Sequence, residues 1–121
     1  MSSSINKVIL LGRLGADPEI RISKQDKKIA KLSLATSESW NDKSTNEKKE
    51  KTEWHRVVIF SPGLAEVAEK YLKKGSLVYI EGQISYGKYT DQSGAEKYTT
   101  DIVLQGFNST LRMLDNKSDG S

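Results

Sequence analysis

Between Glu53 and Phe60 the chain reads Glu-Trp-His-Arg-Val-Val-Ile-Phe, and in an extended strand successive side chains point to opposite faces. Trp54, Arg56 and Phe60 therefore share one face. His55, Val57 and Ile59 share the other, which is apolar enough to cover a core. Trp40 precedes this segment, and lysines crowd the stretch between the two tryptophans. Flat rings among mobile cations can take unstacked nucleobases: an aromatic face stacks on a base for about 1–3 kcal/mol, and the cations neutralise the phosphates. The competing reading is that Trp54 and Phe60 fill a second hydrophobic layer. Arg56 can bridge a phosphate or stack on a base from its place between the rings, or else it sits in a salt bridge. Lys43, Lys48, Lys49 and Lys51 alternate with Asp42, Glu47 and Glu50, which is the pattern of a solvated surface, and among them Lys43 is singled out as a contact.

Other chemistries find little support. The chain has no cysteine and one histidine, so a thiolate nucleophile, a disulfide framework and a Cys- or His-built metal centre are all excluded. Asp17, Asp26 and Asp42 fall in turns or among lysines without a ligand-like grouping, leaving no candidate catalytic residue, metal or cofactor. A formal charge of +3 on 121 residues attracts polyanions only mildly, so the placement of charge matters more than its sum. No apolar run is long enough to span a bilayer and the first residues lack a signal-peptide pattern, so a soluble, intracellular protein of one domain is expected.

The elements that must carry these residues are mostly strands. Lys7 to Leu14 is a short apolar run closed by Gly15 and Asp17-Pro18. From Ile29 the pattern alternates, with Ala30, Leu32 and Leu34 on one face, until a polar stretch leads to Trp40. Asn41 to Thr52 lacks periodicity and reads as a solvated hairpin tip before the third strand. Leu64, Val67, Ala68, Tyr71 and Leu72 then recur at helical spacing, with Ser61 as N-cap, Pro62 at the first position, Lys73 and Lys74 in the last turn and Gly75 beyond. Leu77 to Ile84 and Tyr98 to Leu104 return to strand character around an Asp91–Gly94 turn, and from Asn108 the last strand continues or bends near Gly106. Three strands, one helix and two strands describe an all-β chain with one helix: the OB-fold, a five-stranded Greek-key barrel with a helix between strands 3 and 4, although the pattern is shared by other small barrels.

Asn6-Lys7-Val8-Ile9-Leu10, Leu14-Gly15-Ala16-Asp17-Pro18-Glu19, Thr36-Ser37-Glu38-Ser39-Trp40, Thr52-Glu53-Trp54-His55-Arg56-Val57-Val58, Lys74-Gly75-Ser76, Val78-Tyr79-Ile80-Glu81-Gly82 and Tyr89-Thr90-Asp91-Gln92-Ser93-Gly94 closely resemble the bacterial single-stranded DNA-binding proteins, from about Ile5 to Leu114. The resemblance implies an OB-fold domain over residues 1–114, a homotetramer, and binding of single-stranded DNA largely without sequence preference in replication, recombination and repair. It places stacking aromatics at Trp40, Trp54, Phe60 and Tyr89, the last where many members carry tryptophan. Basic contacts carry over to Arg56, Lys43, Lys74 and Lys88, and subunit contacts to His55 and Tyr79. Ser85 and Gly87 stand where some relatives have arginine, so phosphate neutralisation on that hairpin is expected to be weaker. Ser61-Pro62-Gly63 is one residue longer than in close relatives. Residues 115–121 read as a flexible end. The family's Gly-, Pro- and Gln-rich linker and the acidic tip that recruits replication and repair enzymes are absent from this sequence. A bacterial cytoplasmic, nucleoid-associated location follows from the same resemblance. The alternatives to a non-catalytic binding module are an OB-fold scaffold that binds protein and a nucleic-acid-processing enzyme.

Overall fold

In the computed structural model, which describes residues 3–106 and 109–114, five long strands close on themselves. The order along the chain is β1 (Val8–Leu14), β2 (Glu19–Ile22), β3 (Lys28–Asn41), β4 (Lys48–Ile59), α1 (Pro62–Tyr71), β5 (Leu77–Thr90), β6 (Glu96–Leu104) and β7 (Thr110–Met113). β1 pairs antiparallel with β5 over most of its length and with β3 at Arg13↔Ala35 and Leu14↔Leu34. The ring continues through antiparallel β3–β4, parallel β4–β6 and antiparallel β6–β5, which returns to β1. With α1 between the third and fourth of these long strands, this is the OB-fold that the sequence pattern implies.

Alternation decides what fills the barrel. Ala30, Leu32 and Leu34 from β3, Val57 and Ile59 from β4, Val78 and Ile80 from β5, and Ile102 and Leu104 from β6 are buried together with Leu14. α1 lies against β3 and contributes Ala65 and Ala68, with Leu72 just after it, to the same cluster. Each fully buried Leu, Ile or Val side chain is worth about 1.5–3 kcal/mol. The partly exposed Lys28–Glu69 ion pair that also ties α1 to β3 is a lesser contribution. Next to β1, the side-chain amide of Asn6 clamps β5 by donating to the Ile84 carbonyl at 2.8 Å and accepting its N–H at 2.9 Å.

Several expectations change. The stretch Asn41–Thr52 is not all loop: β3 and β4 stay paired out to Asn41↔Lys48, and the tip is confined to residues 42–47. Hydrophobic periodicity is lost there because both faces of the ribbon meet water, while the backbone ladder needs no apolar side chains. α1 ends at Tyr71, so Lys73 and Lys74 lie beyond its last turn, and Ser61 makes no side-chain cap. Leu72 turns extended and buried, Lys73 N–H donates to Ser76 Oγ at 3.0 Å, and Gly75 supplies a φ of +92°. Tyr71 is exposed, since the buried stripe runs through Ala65, Ala68 and Leu72. One four-residue strand was not foreseen, β2, which pairs with β3, while the continuation expected beyond Gly106 is a separate strand, β7, that turns back onto β5. Gly106, with φ +75°, lies before that return. The expected flexible end at 115–121 lies outside the described residues, as does Asn108.

At Gly12 β1 and β3 approach so closely that an added Cβ would lie 2.1 Å from the Ala35 carbonyl oxygen. Backbone cannot yield as a flexible side chain can. Gly12→Ala is expected to lower unfolding stability by about 1–3 kcal/mol or more, measured by urea denaturation followed by far-UV circular dichroism. Unchanged stability would show that β1 can shift away from β3.

Candidate nucleic-acid interface

β4 runs through the centre of the outward surface. Its residues Trp54 and Arg56, and Phe60 just after it, lie on the barrel's outer side, opposite the buried Val57 and Ile59. Trp54 is 62% exposed, and Phe60 is exposed where the chain leaves β4, its N–H held by the Leu104 carbonyl at 2.9 Å. Six residues of strand separate Trp54 from Phe60, about 20 Å, so a ligand that touches both must be an extended polymer. Register carries the same face across the sheet: Arg56 pairs with Asp101, Asp101 with Ser85, and two alternations further along β5 lies the exposed Tyr89.

What holds Trp54 was not legible as a site. Its indole lies over Gly15, where an added Cβ would meet ring carbons at 2.3 and 2.7 Å. Gly15 had read only as the end of a strand. Two residues on, the Asp17 carboxylate accepts the Lys74 backbone N–H at 2.8 Å, and the Arg13 guanidinium donates to the Gly75 carbonyl at 3.0 Å. The β1–β2 turn thus carries the seat of Trp54 and ties the exposed Lys74 to it. The one available signal was a glycine immediately after a strand.

Arg56 Nε lies 3.0 Å from Asp101 Oδ1, a partly exposed ion pair on the outer face. That oxygen is shut off from solvent and has no hydrogen bond. A guanidinium has five N–H donors, so pairing through Nε leaves the terminal nitrogens for an anion. Among the described residues Lys43, at the hairpin tip, has no ion-pair partner, and the tip itself is fixed by the Asp42 carboxylate, which accepts from the Ser44 N–H at 2.9 Å and its hydroxyl at 2.7 Å. Those bonds hold the Asp42 carboxyl below its ordinary pKa. Lys88 pairs with Glu96 at 3.1 Å.

Other candidates are not brought together. Trp40 pairs with Lys49 and Ala35 with Trp54, which places Trp40 on the reverse face of the ribbon. Lys88, one residue from Tyr89, is likewise on the reverse face of its own hairpin. His55 and Tyr79 are also separated. His55 is half-buried, its Nε2 2.9 Å from Thr36 Oγ1 at the rim of the core. Tyr79 lies across from Leu11 on the outer side of β5, and its hydroxyl donates to Glu81 at 2.5 Å while Lys7 Nζ lies 3.3 Å from the same carboxylate. The Tyr79–Glu81 bond, aided by burial, raises the Tyr79 pKa above its usual value. The same bond, with Lys7, lowers that of Glu81. No cluster of three or more His, Cys, Asp or Glu suited to a metal occurs among the described residues.

A model of the single-strand binding protein family matches residues 5–113. The single-stranded DNA-binding protein of Rickettsia typhi is 58% identical over 121 residues, all of this chain and 80% of the relative. That of Rhizobium meliloti is 56% identical over 117 residues, 97% of this chain and 67% of the relative. A solved complex of Plasmodium falciparum SSB with single-stranded DNA superposes with a TM-score of 0.84 at 39% identity, covering 95% of this chain and 99% of that one.

Two outcomes follow from these contacts. In a Trp40→Phe background, which leaves Trp54 as the sole indole, Gly15→Ala is expected to shift the emission maximum because the added methyl displaces the ring; an unchanged spectrum would show that the indole does not rest on Gly15. Glu81 has a lowered folded pKa, so its contribution to stability is present above the ordinary value of 4.5 and is lost as pH falls through the folded value. Glu81→Gln is therefore expected to flatten the acid limb of a urea-stability profile below about that pH, whereas an unaltered acid limb would remove Glu81 from the acid response.

Proposed function

This chain belongs to the single-strand binding protein family, and we propose that its barrel is a non-catalytic module that binds and protects single-stranded DNA without marked sequence preference. The observation that carries this reading is the solvent-facing row of Trp54 and Arg56 on β4 and Phe60 at its exit, extended by register to Tyr89. Every base has a π-face, so rings on a rigid sheet accept any sequence, and an arginine between them meets the backbone charge. Phosphates close to Lys74, Lys43 and Lys88 would exchange for the ions condensed on the strand. Binding the open form draws transiently melted DNA toward the single-stranded state by mass action, which suits replication, recombination and repair. The same reading places the protein in a bacterial cytoplasm, associated with the nucleoid. Replication and repair enzymes are its partners where a full-length form carries an acidic tail.

Assembly belongs to the same proposal. β1 pairs with β3 only at Arg13 and Leu14, so its other residues leave one strand edge open beside β3, and Ile9 and Leu11 project outward, exposed, next to Tyr79. An open edge with an apolar face suits pairing with a second copy, and a homotetramer is the assembly expected, with Tyr79 at that contact and His55 at another. Residues 1–114 act as the binding domain, and 115–121 as an appended end.

The test is tryptophan emission of the intact protein titrated with oligo-thymidine, with a duplex control and rising salt. The single strand is expected to quench emission, and log affinity to fall against log salt with a slope of about −0.7 per phosphate neutralised. Trp54→Ala is expected to weaken binding by about 5- to 150-fold, one stack. Equal affinity for the duplex, or none for the single strand at low salt, would overturn the reading.

A further inference from the structure

Both long hairpins leave the barrel at the same end. β4 and β6 run parallel but pair only over Arg56–Ile59 and Asp101–Leu104. Before those residues each strand keeps only its hairpin partner, β4 with β3 out to Asn41↔Lys48 and β6 with β5 out to Thr90↔Glu96. Along each arm, register fixes which face continues the barrel interior. On the β3–β4 arm the buried Leu34 is followed on that face by Thr36, Glu38 and Trp40, with Lys49 and Lys51 alongside. On the β5–β6 arm Ile84 and Ile102 are followed by Tyr86 and Lys88, with Tyr98 and Thr100 alongside. Trp40 therefore shares a face type with Tyr86 and Tyr98, not with Trp54 and Phe60.

Tyr86 and Tyr98 are 73% and 71% exposed, more than any other ring named on the surface, while Trp40 is 47% exposed. Tyr86 pairs with Thr100 and Lys88 with Tyr98, which makes the two tyrosines diagonal neighbours. Diagonal positions lie about 7–8 Å apart. That is about twice the 3.5–4.0 Å contact distance between carbon atoms, the gap that one flat ring fills.

We propose that the inward-continuing face of the β5–β6 arm is a second base-stacking surface for single-stranded nucleic acid, built from Tyr86 and Tyr98 on the same type of face as Trp40 has on the other arm. This deepens the function proposed above and rests on it. Continuity argues for the occupant: Tyr89, on the first surface, occupies the opposite face of the same two-stranded ribbon. A strand that follows the outer face to the Asp91–Gly94 turn and folds over it meets Tyr98 and Tyr86 on the far side. The cations of this face type are matched by carboxylates, Lys49 with Glu47 at 3.5 Å, Lys51 with Glu53 at 3.7 Å and Lys88 with Glu96 at 3.1 Å. Stacking supplies most of the surface's affinity, and Lys88 is its one cation assigned a phosphate, so it adds binding with little added salt dependence.

The test compares the unsubstituted protein with Tyr86→Ala/Tyr98→Ala, using a short and a long oligo-thymidine at several salt concentrations. The short strand is expected to bind both proteins alike. The long strand is expected to bind the variant roughly thirty-fold more weakly, two stacks at the low end, with an unchanged salt slope. In the unsubstituted protein, photo-crosslinking to an iodouracil-substituted long strand is expected to label peptides containing Tyr86 and Tyr98. Equal affinity for the long strand, with crosslinks confined to the outer-face aromatics, overturns the inference and leaves the proposed function standing. A changed sedimentation coefficient of the DNA-free variant also overturns it, because the face is then covered by a second copy. Failure of the unsubstituted protein to bind either strand brings down the underlying function instead.

Discussion

A four-residue parallel ladder between β4 and β6, Arg56–Ile59 against Asp101–Leu104, governs most of what this chain presents to a ligand. Without it the strands would form an open sheet with the buried rows of β4 and β6 apart. With it the barrel closes over Val57, Ile59, Ile102 and Leu104. Its brevity matters as much as its presence. Because pairing stops at Arg56 and Asp101, both hairpins are released from the barrel at one end, and their far portions have solvent on both faces. The same boundary places Arg56 and Asp101 side by side, so the ion pair on the outer face marks the place where the arms diverge.

The period-two pattern of a single strand is local, and so the shared face of Trp54, Arg56 and Phe60 could be read directly from Glu53–Phe60. The face of Trp40 could not. Its relation to Trp54 depends on hairpin register, which is set by the tip at residues 42–47, and a shift of one residue there would reverse every side chain of one strand relative to the other. The long helix was legible from its 3.6-residue repeat, yet its last turn was not, because Leu72 leaves the helix while remaining in the core. β2 escaped for a simpler reason: four residues contain too few alternations to show a period. Gly15 under Trp54 and Asp17 holding Lys74 are contacts between segments distant in sequence, 57 residues apart in the second case, and no local pattern encodes them.

Exposed rings are a hazard for a free protein, since contiguous apolar surface invites association. Here the aromatics of the arms are interspersed with charged residues rather than gathered in a patch. Lys49, Lys51 and Lys88 flank Trp40, Tyr86 and Tyr98, and each lysine has a carboxylate nearby. Lysines on projecting ribbons also discourage edge-to-edge pairing.

The pairing of those lysines has a consequence for the bound state. Exposed lysine–carboxylate pairs contribute little to stability because water screens them and the long side chains lose freedom in forming them. Opening such a pair therefore costs little, so the arms could adapt their side chains to a strand of any sequence. Arg56 is different: its partner Asp101 is largely buried beneath the face, and a guanidinium can keep that contact through Nε while offering its other donors outward. The platform thus combines one cation fixed in place with several that can re-pair. In the proposed binding mode a cation held beside Trp54 would set the register of the phosphates relative to the rings, and the adaptable ones would follow the backbone wherever the stacked bases lead it.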